Sequence, residues 1–173
     1  VAEPARVLPD DGVGGSACPG PRTHVWPGLG VVIGRTAKNV WRETALDYVF
    51  GYTIGEDISD RDLQTAEKQF GRAKSFDSYT PVGPFVYTGV DVSDLPITLL
   101  QNGEVRQAAR TSQMIYSVEE IVAFASRGIT LMPGDRILTG TPSGVGPIKK
   151  GDRLEGKIGE WPSLKNVVRE AGV

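Results

Sequence analysis

The apolar run LGVVIG, Leu29–Gly34, is β-branched and bounded by glycine, which predicts a short buried strand. Ahead of it, residues 1–28 include VLPDDGVGGSACPGPRTHVWPG, where crowded Gly and Pro leave neither a strand period nor a helix period, so an irregular segment is expected. After the strand, Asn39 is placed to cap a helix over Val40–Phe50. That helix would put Ala45, Leu46, Val49 and Phe50 on one face and turn Arg42, Glu43 and Asp47 outward before Gly51 stops it. The GYTIG that begins at Gly51 reads as the start of a buried strand.

Further along, Asn102-Gly103 lies between apolar-containing runs, and both residues tolerate the positive φ of a type I′ turn, so LLQNGEVRQ (Leu99–Gln107) predicts a hairpin. Ser117 and Glu120 form a capping box for a helix carrying Ile121, Val122, Phe124 and Ala125, which Gly128 closes. Strands are expected at Arg136–Leu138 and Arg153–Ile158, and no internal repeat is evident. These elements give a β-rich α+β fold with a few peripheral helices, in one domain over residues 29–173. A chain of 173 residues fits one domain and can bury roughly two-thirds of its unfolded surface.

Net charge is −2 with both signs interspersed, which offers no electrostatic footprint for nucleic acid. Cys18 is the lone cysteine and has no Cys or His at metal-ligand spacing, so a bystander thiol in a reducing compartment is expected. No apolar run approaches the roughly 18 residues of a membrane helix, and the N-terminus lacks a signal-peptide pattern. A soluble, cytoplasmic protein without membrane contact is the expectation.

Chemistry gathers in GYTIGEDISDRDLQ, Gly51–Gln64, which holds four acidic residues and Arg61. Such a cluster fits a metal or reaction site. It also fits a helix entry in which Asp57, Ser59 and Asp60 cap a helix running through Leu63 and Ala66. A second stretch, TLMPGDRILTGTPSGVGPIKKGD (Thr130–Asp152), contains a small, polar Gly/Thr/Ser/Pro loop able to bring backbone N–H groups and hydroxyls to an anion. With RAKSFDSYTPVGPF (Arg72–Phe85) and the LLQNGEVRQ hairpin, these segments resemble, in order along the chain, the fumarylacetoacetate hydrolase family.

The resemblance covers Leu29 to about Leu164. It implies a mixed β-sandwich roll that dimerises, N-terminally truncated relative to the family, whose lid precedes the region where this chain begins. It further implies an enzyme acting on a small 2-oxo or 2-hydroxy-dienoic acid through an enolate, by isomerisation, decarboxylation or C–C hydrolysis, with Mg²⁺ or Mn²⁺ as cofactor. Residue by residue, Asp57 matches the family's metal-binding aspartate, and Lys74 matches a lysine that meets substrate and stabilises negative charge. Gln64 matches a substrate-binding glutamine, and Thr141 with the backbone of Gly140 matches the pocket for the substrate carboxylate. The family's Glu-x-Glu metal pair aligns with Trp26 and Gly28, so neither glutamate is present.

Glu56 should not converge with Asp57, since adjacent strand residues face opposite sides. His24, the only histidine, is expected to be structural or exposed, and Thr139 to face away from Thr141. Arg61 and Asp62 are expected to pair structurally, Tyr52, Phe76 and Phe85 to pack in the core, and Pro81, Gly83 and Pro84 to fix a turn. The competing function is a non-catalytic family member that keeps the fold and dimer surface without the glutamate pair.

Overall fold

Two antiparallel sheets make up the computed structural model, which describes residues 6–9 and 22–169. One sheet has the order β4-β3-β2-β7, from Val82–Tyr87, Val49–Asp60, Thr23–Ile33 and Arg136–Leu138, with β8 (Gly146–Pro147) also on β2. The other has the order β1-β10-β9-β5-β6, from Arg6–Pro9, Leu164–Arg169, Arg153–Ile158, Pro96–Gln101 and Glu104–Arg110. Helices α1 (Arg61–Glu67), α2 (Gly71–Lys74) and α3 (Val118–Gly128) lie among them. The α+β, strand-rich expectation holds.

The core lies where the sheets face one another. Leu29, Val31 and Ile33 of β2 and Ile54 of β3 pack in one cluster with Ile97, Ile158 and Leu164 of the second sheet. A second cluster joins Val25, Ile58 and Tyr79 to Leu99, Leu154 and Val168. Each fully buried side chain of this size contributes on the order of 1.5–3 kcal/mol by leaving water. Tyr87 of β4 stacks on Trp161 at 4.2 Å between ring centroids and ties the sheet edge to the β9–β10 connection.

Asn102 and Gly103 take φ of 55° and 84° at the β5–β6 turn, as the hairpin expectation requires. The capping box at α3 is also present, with Ser117 accepting from the Glu120 N–H and Glu120 accepting from the Ser117 N–H.

Several expectations are corrected, among them the irregular segment over residues 1–28, which contains β1 at Arg6–Pro9. The strand expected at Leu29 starts at Thr23, because full pairing with β3 carries Pro27 and both flanking residues into the ladder. Val40–Phe50 is not an amphipathic helix. Asn39 has φ 52°, outside the extended region an N-cap uses, Arg42–Tyr48 forms a 3₁₀ turn, and Val49 and Phe50 join β3, which leaves Phe50 exposed. On α3 the buried stripe is Val118, Val122, Ala123 and Ser126, with Phe124 76% exposed. Ser126 is drawn inward because its hydroxyl accepts from the Val40 N–H and donates to the Ala123 carbonyl. Tyr52 and Phe76 pack as expected, but Phe85 is exposed, and Gly83 and Pro84 lie within β4, joined by a cis peptide bond. Cys18 lies outside the described residues.

Candidate active site

The site is built on the long β2–β3 pair. Register sets Trp26 opposite Asp57, Gly28 opposite Gly55 and His24 opposite Ser59. Directly opposed and alternate residues share a face, so positions 24, 26, 28, 55, 57 and 59 look one way and Glu56 looks the other. The sequence expectation that Glu56 and Asp57 diverge is therefore met. Glu56 is fully buried, one oxygen accepting from the Asn166 side chain at 2.8 Å and the other without a partner, and burial pushes its carboxyl up to about 8.

Strand β3 ends at Asp60, whose side chain accepts from the N–H groups of Asp62 and Leu63 and caps α1. Helix entry and chemical cluster are thus both present, divided between residues: Asp60 is the cap, while Asp57 and Ser59 stay in the strand. Helix α2 then brings Lys74 back over β3, where its ammonium forms an ion pair with Asp57 Oδ2. The side chains of Lys74 and Asp57 are 33% and 22% exposed, so a small solute can reach the pair.

Trp26, opposite Asp57 in the ladder, is 6% exposed. Lys74 Nζ stands 4.6 Å from its ring centroid and Arg61 Cζ 4.5 Å, both in cation–π range. Arg61 also donates to Gln64 Oε1 at 2.7 Å. Instead of pairing with Arg61, Asp62 pairs with Arg22 at 3.4 Å, because Arg61 is drawn to the indole and Gln64. His24 is partly buried with Nδ1 unpartnered, and burial, then Arg61 and Arg22, lower its pKa.

The small polar loop approaches the same strand pair from the β7 side. Thr139 donates to the Leu29 carbonyl at 3.0 Å and so faces β2, yet it lines the same cavity as Thr141. Gly140, at φ 100°, packs its carbonyl against Gly28, where a Cβ would come within 2.6 Å of the oxygen. Thr141 Oγ1 accepts from Gln107 Nε2 at 3.0 Å, and Gln107 also donates to the Pro142 carbonyl at 2.7 Å. Thr141 and Gly140 line a cavity of about 460 Å³ together with Arg110 and Tyr116.

Of the residues singled out in the sequence, Asp57 and Lys74 touch directly, and Gln64 joins them through Arg61 and Trp26. Gly140 sits against Gly28 farther along β2, and Thr141 follows it in the loop, held by Gln107. Sequence reasoning missed Arg61 and Trp26 as parts of the site and Gln107 as the anchor of the loop. A tryptophan opposite a carboxylate, with cations nearby in sequence, was the available signal for the first two. A hard divalent ion requires several oxygen ligands, preferably anionic. Among the described residues of the β2–β3 pair, Asp57 is the one carboxylate on this face and is held by Lys74, and among the described residues no group of three His, Cys, Asp or Glu could hold a metal. This donor set does not fit such an ion.

A two-sheet roll with this loop and lysine defines a recognisable class: residues 22–169 match the fumarylacetoacetate (FAA) hydrolase C-terminal family. The chain belongs to that family. It is 49% identical over 144 residues to the maleylpyruvate hydrolase of Aquipseudomonas alcaligenes, covering 82% of this chain and 49% of the relative. It superposes on the 2-hydroxyhepta-2,4-diene-1,7-dioate isomerase of Mycobacterium marinum with TM-score 0.84 and 47% identity, covering 87% of this chain and 60% of that one. The fumarylpyruvate hydrolase of Pseudomonas aeruginosa, solved with Mn²⁺ and pyruvate, matches with TM-score 0.78 and 35% identity over 83% of this chain and 64% of its own. The chain thus spans about half to two-thirds of these relatives' lengths.

Proposed function

We propose that this domain acts on a small 2-oxo or 2-hydroxy-dienoic acid through its enolate. Relatives that include an isomerase and two hydrolases of such acids support the substrate class. The observation that carries the proposal is the accessible Lys74 ammonium fixed by Asp57 against Trp26. An enolate places negative charge on the oxygen beside the substrate carboxylate, and a preorganised cation there stabilises charge that develops in the transition state. In this reading Lys74 meets that oxygen, Asp57 fixes the ammonium, and Gln64 hydrogen-bonds substrate. Thr141, held in place by Gln107, receives the carboxylate beside the Gly140 backbone.

The test is a substrate panel: acylpyruvate cleavage, 2-hydroxy-dienoate isomerisation and 2-oxo-diacid decarboxylation, each followed by ultraviolet absorbance with chelator, Mg²⁺ or Mn²⁺ present. Turnover of at least one class is expected, with Lys74→Met reducing kcat about 10²–10³-fold. Absence of turnover across the panel, with Lys74→Met equal to the native chain, would remove the enzyme reading. The loss of donors at Trp26 and Gly28 favours the second reading, a non-catalytic domain that binds an organic acid without turning it over. We also propose a homodimer, supported by the exposure of Trp41, Ile115 and Phe124.

A further inference from the structure

The face that carries Asp57 has the wrong charge for a cation. Lys74 pairs with the carboxylate, and Arg61 adds a second positive group near the same indole, its hydrogen bond going to the neutral Gln64 amide. The groups the structure shows in contact at the indole are two cations and one carboxylate, which favours a small anion over a divalent metal ion at that spot. Asp60 and Asp62 carry charge nearby, but Asp60 is directed at the N–H groups of Asp62 and Leu63 and Asp62 at Arg22, so the contacts the structure shows for both carboxylates lead away from the indole.

We propose that Trp26 serves as a platform that converts this strand face into a metal-independent site for small dicarboxylates of the oxalate type, taken directly by Lys74 and Arg61. The indole quadrupole attracts both cations, each within cation–π range of the ring, and its 6% exposure keeps water from competing for it. A guanidinium carries several N–H donors, of which Gln64 takes one, and its flat fork matches a carboxylate. Lys74 supplies a point charge at the accessible side. Ordinarily a metal ion would draw an enolate-like dianion into a strand-face site of this kind. Here the two side chains do so. The inference rests on the assignment of Lys74 to the substrate oxygen, but not on turnover.

The test is calorimetric titration of the native chain with oxalate in chelator, with oxalate in Mn²⁺, and with Mn²⁺ alone, the last also followed by electron paramagnetic resonance. Expected is oxalate binding of equal affinity in chelator and in Mn²⁺, with no specific Mn²⁺ binding. Trp26→Phe, which keeps a ring, should bind within about threefold of native, and Arg61→Met should lose about tenfold or more without acquiring Mn²⁺ binding. Trp26→Glu should reverse the dependence, gaining Mn²⁺ and requiring it for oxalate. If that variant does not fold, the Arg61→Met comparison decides. Oxalate binding that appears only with Mn²⁺, or in neither condition, overturns the inference. Metal-free binding without turnover would uphold it while removing the enzyme reading, so the two failures are distinct.

Discussion

At the residue scale, the site depends on a few side chains whose placement follows from register. Asp57 opposes Trp26, and shifting β3 by one residue would instead turn the buried Glu56 to that face. Glu56 yields a pH prediction. Its carboxyl is raised from 4.5 to about 8, so between these values the folded chain holds a proton that the unfolded chain releases. The stabilising contribution is complete below the lower value and disappears as pH rises through the upper one. Glu56→Gln should therefore melt close to native at acid pH and above it at pH 9, as measured by thermal denaturation across that range. A gap that fails to widen with pH would contradict the burial argument. Gly28→Glu should destabilise by about 1–3 kcal/mol in denaturant titration, because its Cβ meets the Gly140 carbonyl at 2.6 Å and backbone yields poorly. The roles proposed for Asp57, Lys74, Gln64 and Thr141 rest on the resemblance and not on local spacing. Arg61 was misread because its pull toward an indole many positions away leaves no trace in local spacing.

At the element scale, legibility tracks how local the determining physics is. The Asn102-Gly103 turn and the Ser117/Glu120 box are fixed within four residues and were read correctly. Strand β2 was read only from Leu29, since Thr23–Gly28 owes its extended form to β3 and β8 and not to its own Pro and Gly. For the same reason Val49 and Phe50, helical by periodicity, are pulled into β3 by pairing with the chain at Ile33. The Ser117 cap gives a direct test: Ser117→Ala should cost about 1 kcal/mol. Because α3 contributes Val118 and Val122 to the main core, the loss should appear as a shift in global unfolding midpoint, not as local fraying.

At the scale of the whole molecule, two sheets sharing one core hold the β2–β3 face rigid while α2 and the Thr139–Pro142 loop approach it from separate directions. Ile54, fully buried in the main cluster opposite the second sheet, is central to this arrangement, and Ile54→Ala should destabilise by about 2–5 kcal/mol by denaturant titration. The strand-rich fold was legible from β-branched apolar runs and turns, whereas the meeting of Lys74 with Asp57 and Trp26 was not, since it depends on how α2 returns over the sheet. The central claim is that Lys74 stabilises an enolate. Its most direct measurement is proton NMR of pyruvate in deuterium oxide, following loss of the methyl signal with native chain and with Lys74→Met. Faster exchange with the native chain, abolished in the variant, is expected. Exchange no faster than in buffer, or equal in both proteins, would contradict it.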